Sequence, residues 1–217
     1  MSWQAQARGF LFDMDGTLVD STPLIERIWH GWAARHAIDP EYLLQFVHGR
    51  RGVETIQIVA PHMDAQAEVT ALLAEEMADM TGITQIPGAA DFVRQLQPHE
   101  WAVVTSAPRD IALAKLRVAG VPAPEVIIGA AEVNIGKPHP EAYQRGAAAL
   151  RFAPEDCIAF EDADSGIRSA HAAGMHVVAI AHAAGADKTG LAHRQINHYH
   201  DLKLTRTADG LLLASAE

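Results

Sequence analysis

Apolar residues along the chain fall in short runs separated by amphipathic stretches. Gly9-Phe10-Leu11-Phe12 is brief and aromatic and stops at Asp13, which predicts a buried strand. Similar runs recur at Ala102-Val103-Val104, Val126-Ile127-Ile128, Ile158-Ala159-Phe160 and Val177-Val178-Ala179-Ile180. Between them, Ala89 to Leu96, Arg109 to Ala119, Glu141 to Leu150 and Ser165 to Ala173 carry helical spacing, with Gly120 and Gly174 where helix C-caps belong. Strands apolar on both faces, alternating with helices, predict a parallel α/β sheet covered by helices.

One region breaks the alternation, because only helical patterns occur from about Thr22 to Met80. Thr22-Pro23 reads as an N-cap followed by proline at the first helical position, ahead of Ile25, Ile28, Trp29 and Trp32. Asp39-Pro40 repeats the start signal before Leu43, Leu44 and Val47, and Pro61 closes a third segment. Val69, Leu72, Leu73, Met77 and Met80 stripe a fourth. The expectation is a helical insertion between the first strand and the rest of the sheet. Its tryptophans and methionines are read as packing within that bundle rather than as ligand contacts. At the other end, Leu202 to Thr207 and Leu211 to Ser215 flank Ala208-Asp209-Gly210, a turn sequence that predicts a terminal β-hairpin.

Composition narrows the function classes. The formal charge is −10 over 217 residues, which argues against nucleic acid as a partner. No stretch is apolar enough to span a bilayer, and the N-terminal residues lack the apolar core of a signal peptide. The single cysteine, Cys157, excludes an internal disulfide and fits a reducing compartment, so a cytoplasmic protein is expected. An acidic protein that binds phosphate anions needs a metal ion or local cations at its site.

Open parallel sheets bind ligands at the carboxyl ends of their strands. After the first run come Asp13-Met14-Asp15-Gly16-Thr17, after the second Thr105 and Ser106, and after the fourth Glu161 and Asp162. Neighbouring strands would bring these four carboxylates together. Such a cluster is costly unless a cation offsets the repulsion, and hard oxygen ligands suit Mg²⁺. Each piece alone also fits a plainer role: Asp13-x-Asp15-Gly16 as a polar turn, Thr105-Ser106 as a helix cap, Glu161-Asp162 as a solvated loop, Lys137 as a surface lysine in a proline-stiffened loop. Their order along the chain, each beside an expected strand or helix, favours a shared site.

Taken together, Asp13-x-Asp15-Gly16-Thr17, Thr105, Lys137 within Gly136-Lys137-Pro138-His139-Pro140-Glu141, and Glu161-Asp162 resemble the four motifs of the haloacid dehalogenase superfamily over essentially the whole chain. The resemblance implies a Rossmann-like catalytic core, residues 1–16 and 86–217, and an inserted helical cap over residues 17–85. It also implies a mechanism. Asp13 would attack phosphorus to form an aspartyl-phosphate, and Asp15 would act as general acid and then general base. Mg²⁺ would be held by Asp13, Asp162 and the backbone carbonyl of Asp15, with Glu161 acting through water. Lys137, Thr105 and the amide of Ser106 would bind the phosphoryl oxygens.

Within the superfamily, Asp15 argues against halide displacement. The lack of any lysine from Thr17 to Gln85 removes Schiff-base chemistry from the insertion. Trp101 to Ser106 with Arg109-Asp110, His48-Gly49-Arg50-Arg51, and the Gly136 to Tyr143 segment are similar to sugar phosphatases and to glycerol-phosphate and 2-deoxyglucose-6-phosphate phosphatases. The implied substrate is a small phosphorylated metabolite, a sugar or polyol phosphate. His48, Arg50 and above all Arg51 are candidates to contact it, although the same three also fit an exposed basic loop. Asn134 and Arg109 are weaker candidates. A phosphosugar mutase shares every core residue named, and a receiver-type phospho-acceptor domain shares the acidic pocket, so both stand as rival readings. His193, His198 and His200 are read as surface histidines rather than a zinc site. A monomer is the favoured assembly.

Overall fold

The computed structural model describes residues 3–182, 185–208 and 210–216. Strands are β1 (Gln4–Ala7), β2 (Gly9–Phe12), β3 (Val19–Asp20), β4 (Thr84–Gln85), β5 (Trp101–Val104), β6 (Val126–Ile128), β7 (Cys157–Glu161), β8 (His176–Ile180), β9 (Arg194–Ile196), β10 (Leu202–Thr207) and β11 (Gly210–Ser215). Helices are α1 (Thr22–His36), α2 (Pro40–Val47), α3 (Gly52–Val59), α4 (Ala65–Ala78), α5 (Ala89–Val93), α6 (Arg109–Val118), α7 (Glu141–Leu150) and α8 (Asp164–Ala172).

The main sheet has six parallel strands in the order β6-β5-β2-β7-β8-β9, so β2 lies between β5 and β7. This is the α/β sheet expected from the apolar runs, extended at one edge by β9. Alternate residues of each strand feed opposite faces. Phe10, Phe12, Val103, Ile158, Phe160 and Val178 join one buried cluster, where Phe12 stacks on Phe160 at 4.6 Å and Phe92 and Tyr199 close over them. Leu11, Ala102, Val104, Ala159 and Val177 join the other, under Tyr143, Ala147 and Leu150 of α7 and Ile167 and Ala170 of α8.

Chain leaving β2 passes through β3 and the four helices α1–α4, and returns through β4. Val19 and Asp20 pair antiparallel with Gln85 and Thr84, so the two crossings lie side by side. Asp39 and Asp64 cap α2 and α4 by accepting from backbone amides. The start of α1 differs from expectation. Thr22 is the first helical residue and Ser21 occupies the N-cap position, but Ser21 makes no side-chain cap bond. Its hydroxyl is drawn instead to Asp15. Trp29 and Trp32 pack edge to face at 5.6 Å inside the bundle, and the Trp32 indole donates to Glu68. On α4 the buried positions are Ala65, Leu72 and Glu76, while Met77 is 43% exposed. The stripe therefore turns at 76 rather than continuing to 77.

The terminal hairpin forms, with Thr207 opposite Gly210, and β1 adds to it in the order β1-β11-β10. Asp209 of the expected turn lies outside the described residues. Helix α5 stops at Val93, short of the expected Leu96. Ala119 and Ala173 end α6 and α8 just before Gly120 and Gly174, as the sequence suggests. Among the described residues no helix is long and apolar enough to cross a membrane.

Candidate active site

Because β5, β2 and β7 are neighbours, their carboxyl ends deliver Thr105, Asp13 and Glu161-Asp162 to one point. Lys137 arrives from the loop before α7. The residue is 2% exposed, and its Nζ donates to Asp13 Oδ1 at 2.6 Å, to Glu161 Oε1 at 2.6 Å and to the Val104 carbonyl at 3.0 Å. Burial would lower this ammonium's pKa, but Asp13 and Glu161 outweigh burial and hold it high. Glu161 has no exposed surface. It accepts from the Tyr143 hydroxyl at 2.7 Å and from the Asp162 amide at 3.2 Å as well as from Lys137.

Asp13, Glu161 and Asp162 bring ligand oxygens within 4.8 Å of one another, an all-carboxylate set that can hold a divalent metal ion. Burial pushes the Asp13 carboxyl up to about 8 against the pull of Lys137, with Glu161 and Asp15 adding to the rise. Burial, then Asp13 and Glu161, raises Asp162 well above the usual carboxylate range. One lysine does not neutralise this cluster, and a hard cation would. Gly16 makes the arrangement possible. Its φ is +81°, and a Cβ there would overlap the Asp162 carboxylate. The Thr17 hydroxyl donates to Asp162 Oδ1 at 3.3 Å from the same turn.

Asp15 has a different set of partners from Asp13. Its Oδ1 accepts from Ser21 Oγ at 2.5 Å and from Lys115 Nζ at 2.7 Å. Lys115, on α6, is 1% exposed and also lies 2.5 Å from Glu76 Oε1 of α4. Burial opposes its charge, but Asp15 and Glu76 prevail and raise its pKa. Neither Lys115 nor Glu76 is legible as a site residue from motif or spacing alone. The available hint was a glutamate seven residues after Val69 on an otherwise apolar stripe.

A cavity of about 410 Å³ opens beside Asp13 and Asp15 and runs beneath the helical insertion. Thr105, Ser106 and Asp162 line its polar end, while Ile25, Trp29, Val69, Leu72 and Leu73 line the other. His48, Arg50 and Arg51 all border it. Their loop meets the core closely: the Ser106 hydroxyl donates to the Gly49 carbonyl at 3.1 Å. Arg51 is held by Glu54, at 2.9 Å from Nε to Oε1, and its guanidinium reaches the Val133 and Asn134 carbonyls at 3.5 and 3.4 Å. Thr105 Oγ1 accepts from the Ala107 amide at 3.1 Å. Asn134 donates to Glu141 and Arg109 to the Ile127 carbonyl, and neither borders the cavity. His193 stacks on His176 at 4.0 Å and accepts from the Val177 amide, while His198 faces Asp201 at 3.2 Å.

The haloacid dehalogenase-like hydrolase family matches residues 7–174. Hexitol phosphatase A of Escherichia coli is 43% identical over 180 residues, 81% of this chain and 83% of that protein. Glycerol-1-phosphate phosphohydrolase 1 of Saccharomyces cerevisiae is 34% identical over 184 residues, 79% of this chain and 73% of its own length. The crystal structure of CbbY from Rhodobacter sphaeroides in complex with phosphate superposes with a TM-score of 0.73 at 25% identity, covering 89% of this chain and 95% of that one. The chain belongs to the haloacid dehalogenase-like hydrolases and is an enzyme of that family.

Proposed function

We propose that this enzyme hydrolyses small phosphate monoesters, sugar or polyol phosphates, with Asp13 as the nucleophile. The observation that carries the reading is the buried Asp13–Lys137 contact of 2.6 Å at the end of the central strand, facing a cavity of small-molecule size. The phosphatase activities named for the hexitol and glycerol-1-phosphate relatives support the substrate class.

In this reading Asp13 uses the carboxylate oxygen not held by Lys137 to attack phosphorus, and Lys137 offsets charge on the carboxylate and the phosphoryl oxygens. The Thr105 hydroxyl and Ser106 amide donate to those oxygens. Asp15 gives a proton to the leaving alkoxide and then takes one from the water that hydrolyses the aspartyl-phosphate. Asp13, Asp162 and the Asp15 carbonyl would hold the metal, which we take to be Mg²⁺. When bound it would supply charge neutralisation for the phosphoryl group. Glu161, already engaged by Lys137 and Tyr143, would act on the metal indirectly, through water.

Residues 17–85 act in this account as a cap on a core formed by 1–16 and 86–217, with the paired crossings β3 and β4 as the hinge. His48, Arg50 and Arg51 present the cap's polar edge to the substrate. The enzyme would work in the cytoplasm, where the buried Cys157 stays reduced. The test is phosphate release from a panel of hexitol, hexose, glycerol and nucleotide monophosphates with Mg²⁺ or EDTA. Metal-dependent release, strongest for polyol or sugar phosphates, is expected. Conversion to an isomeric sugar phosphate without free phosphate would favour a mutase instead.

A further inference from the structure

Lys115 links two parts of the chain that the family motifs leave unconnected. It lies on α6 of the parallel-sheet unit, and its Nζ stands between Asp15 Oδ1 at 2.7 Å and Glu76 Oε1 at 2.5 Å. Glu76 belongs to α4 of the insertion and is itself buried. Its contact with Nζ lies off the hydrogen-bonding direction, so it acts as a charge contact, whereas the bond to Asp15 is aligned. Lys115 and Glu76 both border the cavity.

A cation taken out of water between two carboxylates costs desolvation, and an apolar residue of similar volume often serves stability as well or better. The charge has a clear use here. An acid–base carboxylate must keep one orientation through two proton transfers, and a misplacement of about 1 Å can cost ~100-fold in rate. Both donors on Asp15, Ser21 and Lys115, go to Oδ1. Among the described residues no donor is bonded to Oδ2, which is therefore the oxygen able to exchange a proton with substrate or water.

We propose that Lys115 is a positioning residue for Asp15, and that Glu76 fixes the lysine so that Asp15 is aligned when α4 is seated on α6. The inference rests on the reading of Asp15 as the acid–base group. Lys115 does not touch the phosphoryl group in this account, so its removal should lower turnover rather than binding.

The experiment measures kcat and KM for one polyol phosphate at saturating Mg²⁺ in Lys115→Met, Lys115→Arg, Glu76→Gln, Asp15→Asn and the double variant Lys115→Met/Glu76→Gln. Urea unfolding of each identifies any variant that has lost its fold. Lys115→Met is expected to lose about 10- to 100-fold in kcat, part of the roughly 10²- to 10⁴-fold that acid–base catalysis supplies, with KM within about 3-fold. Lys115→Arg should recover most of that loss. Glu76→Gln should lose less than Lys115→Met, and the double variant should be no slower than Lys115→Met alone. The double variant also removes a carboxylate that the single one leaves unpaired, and serves where Lys115→Met does not fold. A folded Lys115→Met or double variant with unchanged kcat, a change confined to KM, or strictly multiplicative losses in the double variant would overturn the inference. Full activity in Asp15→Asn would overturn the acid–base reading and the inference with it. A slow Asp15→Asn beside a fully active Lys115→Met overturns the inference alone.

Discussion

Replacing Lys137 by methionine keeps most of the side-chain volume and removes the cation that Asp13 and Glu161 share. The lysine is 2% exposed and its Nζ lies 2.6 Å from an oxygen of each, so the variant leaves two buried carboxyl groups without the cation they share. The folded protein can answer by binding one more proton. Asp13 is already pushed up to about 8 in the intact site, so the expected loss is the one that follows removal of one partner of a buried ion pair, roughly 3–5 kcal/mol at pH 7. The sign follows from linkage. A carboxyl whose folded pKa is raised binds its proton more cheaply as pH falls, so the deficit should shrink at pH 5. Urea unfolding in EDTA at both pH values, with the m-value checked, reads this out. Phosphate release should fall by at least about 100-fold in parallel. A deficit under about 1 kcal/mol at pH 7, or one that grows on acidification, would refute the reasoning.

Gly16→Ala should combine about 1–3 kcal/mol of backbone strain with displacement of Asp162, and weaken divalent-metal binding by about 10-fold or more; calorimetric titration with Mg²⁺ measures it. Leu73→Trp should fill the apolar end of the cavity, raising KM about 10-fold for a hexitol phosphate and less than about 2-fold for glycerol phosphate, measured by steady-state kinetics. Burial, with His193 adding, holds the His176 imidazole down to about 4 from its ordinary 6.5. The unfolded chain therefore takes up a proton that the folded one refuses. This contribution is complete above pH 6.5 and is lost as pH falls toward 4, amounting to about 1–2 kcal/mol after discounting for solvent screening of the partly buried ring. His176→Phe should flatten that part of the stability curve, and thermal unfolding from pH 7 to 4 tests it.

Five of the six strands of the main sheet are legible because each is a short apolar run, and three of these runs stop at a polar residue, as Gly9-Phe10-Leu11-Phe12 stops at Asp13. The sixth, Arg194-Gln195-Ile196, sits at the sheet edge and carries only Ile196 into the core, so no apolar run marks it. β1 is hidden in the same way, with only Ala7 buried of its four residues. Asp13, Lys137, Glu161 and Asp162 could be brought together on paper because motif order and strand adjacency suffice. Lys115 and Glu76 could not. A lysine near the end of an amphipathic helix reads as a solvated charge, and only the packing of α4 on α6 buries it. Likewise the sequence points to Thr22 rather than Ser21 at the start of α1, and nothing in it reveals that the Ser21 hydroxyl serves Asp15 rather than the helix. For Arg51, the sequence does not reveal that Glu54, three residues on, holds its guanidinium at the cavity edge.

The central claim is that Asp13 becomes phosphorylated and passes the phosphoryl group to water. Its most direct test is rapid acid quench of the Asp15→Asn variant turning over p-nitrophenyl phosphate, whose leaving group needs no general acid, with Mg²⁺, followed by peptide mapping for a phosphoryl adduct, with Asp13→Asn alongside. The account predicts a hydroxylamine-sensitive adduct on the peptide containing Asp13, absent from Asp13→Asn, which should release no phosphate. Phosphate release by Asp13→Asn at the wild-type rate, or an adduct on any other residue, would contradict it.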